Sequence, residues 1–250
     1  MIRVRGPIGN FVATPDSGCV PLTVSISGSV QSTVSIVADL GDGVSYQDTV
    51  NLVHTYQNVG NYYPVYTLTD SVGCVVAYPV DTIVVGLIPY PQLNDTTVCE
   101  GNYVQFNLTL GDYFQWDASL ANKYLNCDTC PNPIASTPDT ITYYVTATTN
   151  LGCVARDTVT INVDKLPPIF PGISFRICPG DTLQLNAGAG VTAATWEPDQ
   201  YINDTTIVNP VVYPPDSMIY RVTGYNQSGC SISRIVKVWT ITDVVADILE

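Results

Sequence analysis

Few side chains in this sequence are placed to do chemistry. Asp39 and Asp42 flank Gly41 in the run Asp39-Leu40-Gly41-Asp42-Gly43, and two carboxylates on one tight loop could hold a structural calcium ion. The same residues supply turn geometry at a strand end, and no complete ligand set follows them. No metal and no cofactor is therefore expected, with Asp39 and Asp42 the candidates should calcium bind. His54, the single histidine, stands between Val53 and Thr55 with no nucleophile and acid beside it, and no G-x-S-x-G motif occurs. No catalytic residue is expected. Cys127-x-x-Cys130 could be a redox motif or half of a zinc site. Pro131-Asn132-Pro133 forbids the helix that a thioredoxin-type motif needs, and no second ligand pair is spaced for zinc. A small structural disulfide closing that loop is the expectation.

The rest of the chain sets the background for these groups. It has 250 residues, with nine Lys+Arg against 22 Asp+Glu, net charge −13. That sign repels phosphate backbones, so no nucleic-acid partner is expected. With 46% hydrophobic and 12% charged residues the chain is not disordered. No apolar run approaches the roughly 18 residues of a membrane span, so no membrane insertion is expected. Met1–Arg5 lacks an apolar core and a cleavage site and does not read as a signal peptide. The chain reads as a segment of a longer exported protein.

The cysteines expose a repeat. Asp70-Ser71-Val72-Gly73-Cys74, Asn150-Leu151-Gly152-Cys153 and Gln227-Ser228-Gly229-Cys230 share one shape, while Cys19, Cys99 and Cys178 recur at nearly the same interval of about 79 residues. Cys99-Glu100-Gly101 matches Cys178-Pro179-Gly180, Trp116 matches Trp196, and Tyr143-Tyr144-Val145-Thr146 matches Tyr220-Arg221-Val222-Thr223. Period-2 alternation is plain in Thr158–Val163 and Leu183–Ala187, turn residues recur every eight to twelve positions, and no segment has a helical period. The expected fold class is all-β: three tandem antiparallel β-sandwiches, 1–86, 87–166 and 167–250, forming an elongated rod. Pro-rich joints at Gly86–Pro91 and Lys165–Pro171 read as short and semi-rigid. Trp116 and Trp196 fall where sandwiches place a core tryptophan.

The first unit carries Asp39-Leu40-Gly41-Asp42-Gly43, then His54-Thr55-Tyr56, then Gly60-Asn61-Tyr62 leading into Val65–Thr69. Preceded by Pro21–Ile26, this set resembles the PKD domain, although Leu40 stands where that family has an aromatic and Val37 where it usually has Trp. The other two units resemble the Ig-like repeats found beside PKD domains in large surface proteins of Bacteroidota. The loop Leu125–Pro133 is similar to one recurring in those proteins. The resemblance implies export by the type IX system to the cell surface or extracellular space, and a gliding-motility adhesin context. It also implies O-glycosylation at Asp-Ser/Thr-apolar sites. Nine of the 19 aspartates are followed by Ser/Thr and then by Ala, Ile, Leu, Val, Met or Thr, against about one or two expected from composition. The best candidates are Thr49, Ser71, Thr96, Thr140 and Thr205; the competing reading is strand grammar, an Asp ending a turn before Thr-Val opens a strand.

Sandwich topology then bears on the remaining cysteines. Pairing within each unit would give Cys19–Cys74, Cys99–Cys153 and Cys178–Cys230. In a seven-strand sandwich, however, the A–B turn that holds each first cysteine and the F–G turn that holds each second one lie at opposite ends, roughly 20 Å apart. A disulfide needs Cα atoms within about 7 Å. Units stacked head to tail bring the A–B turn of one beside the F–G turn of the next. The preferred pairs are therefore Cys19–Cys153 and Cys99–Cys230, with Cys127–Cys130 local. Cys74 and Cys178 are left to pair with units outside the chain or to stay free.

The expected function is non-catalytic: a repeat segment of a cell-surface adhesin or filamentous stalk that supplies length and stiffness. Adjacent repeats of the same longer chain are the expected partners, with surface polysaccharide or self-association next. Two alternatives are an accessory or carbohydrate-binding module of an extracellular polysaccharide-degrading enzyme and a self-associating filament subunit. For the second, the apolar stretch Ile241–Leu249 is the segment of interest.

Overall fold

The computed structural model describes residues 6–241. Of the terminal stretch singled out above, all but Ile241 lies outside the described residues. Every regular element among them is a strand. The first repeat holds β1 (Ile8–Thr14), β2 (Ser17–Cys19), β3 (Leu22–Gln31), β4 (Ser35–Asp39) and β5 (Ser45–Gln47). It continues with β6 (Leu52–Tyr56), β7 (Gly60–Tyr62), β8 (Val65–Thr69), β9 (Val75–Pro79) and β10 (Ile83–Gly86). The second holds β11 (Thr96–Cys99), β12 (Val104–Gln105), β13 (Tyr113–Ala118), β14 (Ile134–Ala135), β15 (Ile141–Thr148) and β16 (Val154–Asp164). The third holds β17 (Ser174–Ile177), β18 (Leu183–Gln184), β19 (Ala193–Glu197), β20 (Val211–Val212), β21 (Met218–Tyr225) and β22 (Ser231–Thr240).

The chain forms two compact units that cut across the repeat boundaries. One takes the chain to Asn94 with Gln105–Ala135 and Thr142–Thr160; the other takes Asp95–Val104, Ser136–Ile141 and the chain from Ile161. The middle repeat contributes to both.

In the first unit, β3 lies antiparallel between β1 and β6, and a second sheet runs β5-β4-β8-β9. Strict alternation on β3 turns Leu22, Val24 and Ile26 inward and leaves Thr23, Ser25 and Ser27 out. The inward residues meet Ala38 from β4 and Tyr66 and Leu68 from β8 in one core, so the two sheets pack face to face. Phe11 stacks on Tyr66 at 3.7 Å between ring centroids. The inward positions on β4 are Ile36 and Ala38, and Val37 between them faces out. A ring from β1 and one from β8 thus occupy the middle of this core without a tryptophan. In the middle repeat, Trp116 on β13 is fully buried, stacks on Phe106 at 4.9 Å and donates its indole N–H to the Cys130 carbonyl at 2.9 Å.

In the second unit the third repeat has a four-stranded sheet in the order β17-β22-β21-β19 and a pair β18-β20. This is the A′-G-F-C and B-E arrangement of an immunoglobulin-like sandwich. Trp196 is buried on β19 and donates to the Ile207 carbonyl at 2.9 Å. The expected strand over Leu183–Ala187 is regular only to Gln184. Beyond it, Leu185 and Ala187 remain buried and donate to the carbonyls of Pro210 and Val208, where a proline without an N–H interrupts the ladder. Ile169, placed in a linker by the sequence, is part of this core, and Phe170 donates to the Ala187 carbonyl at 3.2 Å.

One pairing departs from the antiparallel rule in each repeat. The short A′ strands β2, β11 and β17 run parallel to the last strands β10, β16 and β22. In register, Gly86 faces Cys19 and Asp164 faces Cys99, while Ile241 donates to the Ile177 carbonyl just before Cys178. Each first cysteine therefore sits beside the point where the chain leaves its own repeat.

Candidate functional site: the cystine joints between repeats

Two joints are built alike. At the first, Cys19 is bonded to Cys153 with Cα atoms 5.5 Å apart; at the second, Cys99 is bonded to Cys230, again at 5.5 Å. None of the within-repeat pairs Cys19–Cys74, Cys99–Cys153 and Cys178–Cys230 is formed. The third cystine, Cys127–Cys130, closes the loop after β13, with Cα atoms 5.9 Å apart.

The turn bearing the second cysteine is the same structure three times. Its first residue is Asp70, Thr149 or Asn226, whose backbone N–H donates to the carbonyl of Cys74, Cys153 or Cys230. That residue's side-chain oxygen accepts from the cysteine N–H at 2.8, 3.1 and 2.9 Å respectively. The fourth residue is Gly73, Gly152 or Gly229, with φ of 88, 78 and 84°, a left-handed conformation that glycine adopts without a Cβ clash. Five residues thus present each cysteine at the tip of a hairpin whose shape does not depend on the bond it makes.

The exit side is equally repetitive. Val20, after Cys19, donates to the Gly86 carbonyl at 3.0 Å, and Glu100, after Cys99, donates to the Asp164 carbonyl at 2.9 Å. At the first joint the next hairpin comes so close to Gly86 that a Cβ there would lie 2.7 Å from Leu151 Cδ1 and 3.3 Å from Cys153 Sγ. At the second joint the Asn226 amide donates to the Lys165 carbonyl at 3.0 Å. The Lys165 ammonium donates to the Pro138 carbonyl at 2.6 Å and to Asp139 at 2.8 Å, with Glu100 at 3.4 Å. The Asp139 hydrogen bond first, and then the charges of both acids, hold its pKa above the usual lysine value. Both bonded turn cysteines, Cys153 and Cys230, are buried. Cys74 and Cys178 are exposed and unpaired among the described residues.

The other candidate residues fall into local structure. Asp39 accepts from the Gly41 N–H at 2.9 Å, and Asp42 accepts from the Val44 N–H at 3.1 Å while its second oxygen meets His54 Nε2 at 2.7 Å. His54 sits edge-on to Tyr56, 4.7 Å between ring centroids. The Tyr56 hydroxyl donates to the Leu40 carbonyl at 3.0 Å, and burial first, then the Asp42 carboxylate, raises its pKa. The loop and the histidine thus form one hydrogen-bonded plug on the first core. Among the described residues no three His, Cys, Asp or Glu side chains converge as metal ligands. Of the glycosylation candidates, Ser71 and Thr140 are exposed, while Thr49, Thr96 and Thr205 are half-buried. Thr49 donates to the Gln47 carbonyl, and Thr140 accepts from the Val163 N–H.

What the sequence reading missed is the parallel A′ pairing that carries each first cysteine to the exit. The stretches before the three cysteines, Ser17-Gly18, Thr96–Val98 and Ser174–Ile177, share no pattern that signals it. Chemically the joints do one thing: each replaces a hinge by a second covalent connection, built where backbone and side chains already hold the two halves in register.

No family model matches the chain, and no curated protein matches it. Among solved structures it is similar to an I-band fragment from titin at 9% identity, covering 96% of this chain and 100% of that one, with a TM-score of 0.44. It is also similar to immunoglobulin domains 1–5 of Sidekick-1 (14% identity, 96% and 60% covered, TM-score 0.40). The insect immune protein hemolin is a third such structure (13% identity, 94% and 77% covered, TM-score 0.36).

Proposed function

We propose that this chain is a non-catalytic, load-bearing run of three β-sandwiches in an extracellular surface protein, an adhesin or filamentous stalk. The observation that carries the reading is the repetition of one joint. Cys19–Cys153 and Cys99–Cys230 link the exit of one repeat to the F–G turn of the next at the same Cα spacing. Cystines suit an oxidising compartment, and neighbour-only contacts suit an array that grows by adding repeats. A PKD-like first repeat and a gliding or type IX surface context remain the finer form of this reading, carried by sequence resemblance alone.

Single-molecule stretching between the chain ends tests it. Through both cystines the shortest covalent path runs from the start to Cys19, across to Cys153, back to Cys99 and across to Cys230. Fully extended at about 3.6 Å per residue, that path measures roughly 330 Å, against about 900 Å for the reduced chain. The load-bearing reading expects the short length until dithiothreitol is added. Equal lengths before and after reduction would refute it. Retention of the chain on an insoluble polysaccharide, unaffected by reduction, would favour the accessory-module alternative.

A further inference from the structure

Lysine and arginine are unevenly spread along this acidic chain. Residues 6–86 hold six acids and no Lys or Arg, whereas residues 167–241 hold five acids and four cations. Three of those four, Arg176, Lys237 and Arg221, are exposed on the outward face of the sheet β17-β22-β21-β19. Arg176 lies opposite Trp239, Lys237 is opposite Ile219, and Arg221 is opposite Ile235. The cations therefore step diagonally across three neighbouring strands, roughly 8 Å apart for a strand spacing of about 4.8 Å and two residues of rise. Trp239 and Ile219 border the line on one side and Ile235 on the other, each about half exposed. Two hollows of about 290 and 120 Å³ share Ile219 in their walls; the first reaches Arg221 and Ile235, the second Lys237 and Trp239. The Trp239 indole N–H donates to Ser174 Oγ at 2.9 Å, which pins the ring over β17. Among the described residues none of the three cations is ion-paired, although Glu197 faces Arg221 from β19.

The second repeat builds the same sheet from different residues. Aligned on Cys99 with Cys178, Tyr143 with Tyr220 and Cys153 with Cys230, the six positions there hold Thr97, Thr142, Tyr144, Thr158, Thr160 and Asn162. None is a cation or an aliphatic residue, so the fold itself does not call for them in the third repeat. Thr97, Tyr144, Thr158 and Asn162 are exposed although a repeat lies on either side, so joined neighbours leave this face open.

We propose that this face of the third repeat binds an acidic polysaccharide. Arg176, Lys237 and Arg221 take its carboxylate or sulfate groups, and the C–H faces of its sugar rings lie on Trp239, Ile219 and Ile235. Guanidinium forks suit such planar, charged acceptors. In projection the patch is roughly 16 Å by 14 Å, about 220 Å², far short of the about 800 Å² a side that a stable protein partner needs. An extended polymer crossing the sheet fits it. Duplex nucleic acid, with one charge per about 1.7 Å, brings more anions than three cations offset on a chain of net charge −13. Sugar rings hold the charges of a polysaccharide further apart. The inference rests on the extracellular surface reading and names what such a protein would hold.

The test is retention of the full chain on immobilised polygalacturonate, dextran sulfate, unsubstituted dextran and polyglutamate. At about 0.15 M salt a Debye length of about 8 Å screens the distant acids from the local line. Polygalacturonate or dextran sulfate is expected to retain the chain, and which of them does so names the acid group. Either should also protect Trp239 from acrylamide quenching, since Trp116 and Trp196 are buried and contribute little to it. Arg221→Tyr combined with Lys237→Thr installs the residues of the second repeat and should weaken binding by about tenfold or more with little change in melting temperature. Arg176→Thr, a single exposed change, should weaken it as well. The proposal is overturned if neither acidic polysaccharide retains the chain, or if dextran or polyglutamate retains it as strongly. It is equally overturned if the folded variants bind as tightly as the unsubstituted chain. Loss of binding leaves the cystine-limited extension unchanged, so this inference and the load-bearing reading fail separately.

Discussion

Replacing Cys19 and Cys153 together by alanine removes the first joint's covalent bond without burying a hydroxyl at the fully buried Cys153. Its effect can be worked from the connectivity. When the first repeat unfolds alone, the bond holds Cys19 to the still-folded second repeat, while the chain leaves that repeat's side at Gly86. The freed loop therefore runs over the 67 residues from Cys19 to Gly86 with both ends tethered, which costs the unfolded state about 4 kcal/mol of loop entropy. For a domain near 80 residues, each kcal/mol moves the midpoint by about 4–8 °C. The double variant should thus lower the first repeat's melting by on the order of 20 °C. The assay can isolate that repeat, because the three tryptophans, Trp116, Trp196 and Trp239, all lie in the other two. A calorimetric transition with no accompanying change in tryptophan fluorescence belongs to the first repeat, and that transition is the one expected to move. If it shifts by less than about 4 °C, the equivalent of 1 kcal/mol or less, the bond does not restrain the first repeat and the clamp reasoning fails.

Replacing Asn226 by alanine removes two turn hydrogen bonds and the amide contact to Lys165, and should lower the tryptophan-reported stability of the third repeat by about 1–3 kcal/mol. Aspartate at the same position keeps the turn bonds and loses only the Lys165 contact, so the difference between the two melting curves measures the joint. Burial pushes the Tyr66, Tyr143 and Tyr220 phenols up to about 12, so the folded chain keeps protons that unfolded tyrosines release near pH 10. Stability from these groups is complete below pH 10 and is lost as the pH rises towards 12, by up to about 3 kcal/mol for each phenol. Ultraviolet titration should show phenolate absorbance from the buried set only in that upper range, with cooperative unfolding. Gly86→Val places methyl groups against Leu151 and the Cys153 sulfur, and should cost about 1–3 kcal/mol and slow the loss of the Cys19 and Cys153 thiols during oxidative refolding, followed by thiol alkylation.

The repeat was readable because cysteine, tryptophan and the Gly-Cys turn are rare enough for their spacing to stand out. Trp116 and Trp196 were readable as core for the same reason, since a large ring on an alternating strand has one place to go. The three-residue A′ strand β2 was not, because Ser17-Gly18-Cys19 has no alternation and its pairing depends on β10, more than sixty residues later. Ile169 was hidden by its neighbours: three prolines within residues 165–171 signal a linker, and nothing local says that one isoleucine among them covers Gly224. Thr49, Thr96 and Thr205 each follow a turn-ending aspartate and are half-buried. For β2 and for Ile169 the deciding contact came from a distant strand.

The parallel pairing of each A′ strand with its repeat's last strand also bears on the order in which the protein can be made. Cys19 is translated long before β10, which places it, and before Cys153, which receives it 134 residues on. Four other thiols, Cys74, Cys99, Cys127 and Cys130, emerge in between and are nearer along the chain. A chain oxidised as it emerges would meet those partners first, since shorter loops close at lower entropic cost. The correct bond requires two whole sandwiches to be folded before Cys19 settles on Cys153. Biosynthesis of this molecule therefore calls for either delayed oxidation or an isomerase that breaks early errors. On either route the final pairing is set by the folded sandwiches and not by the order in which the thiols emerge.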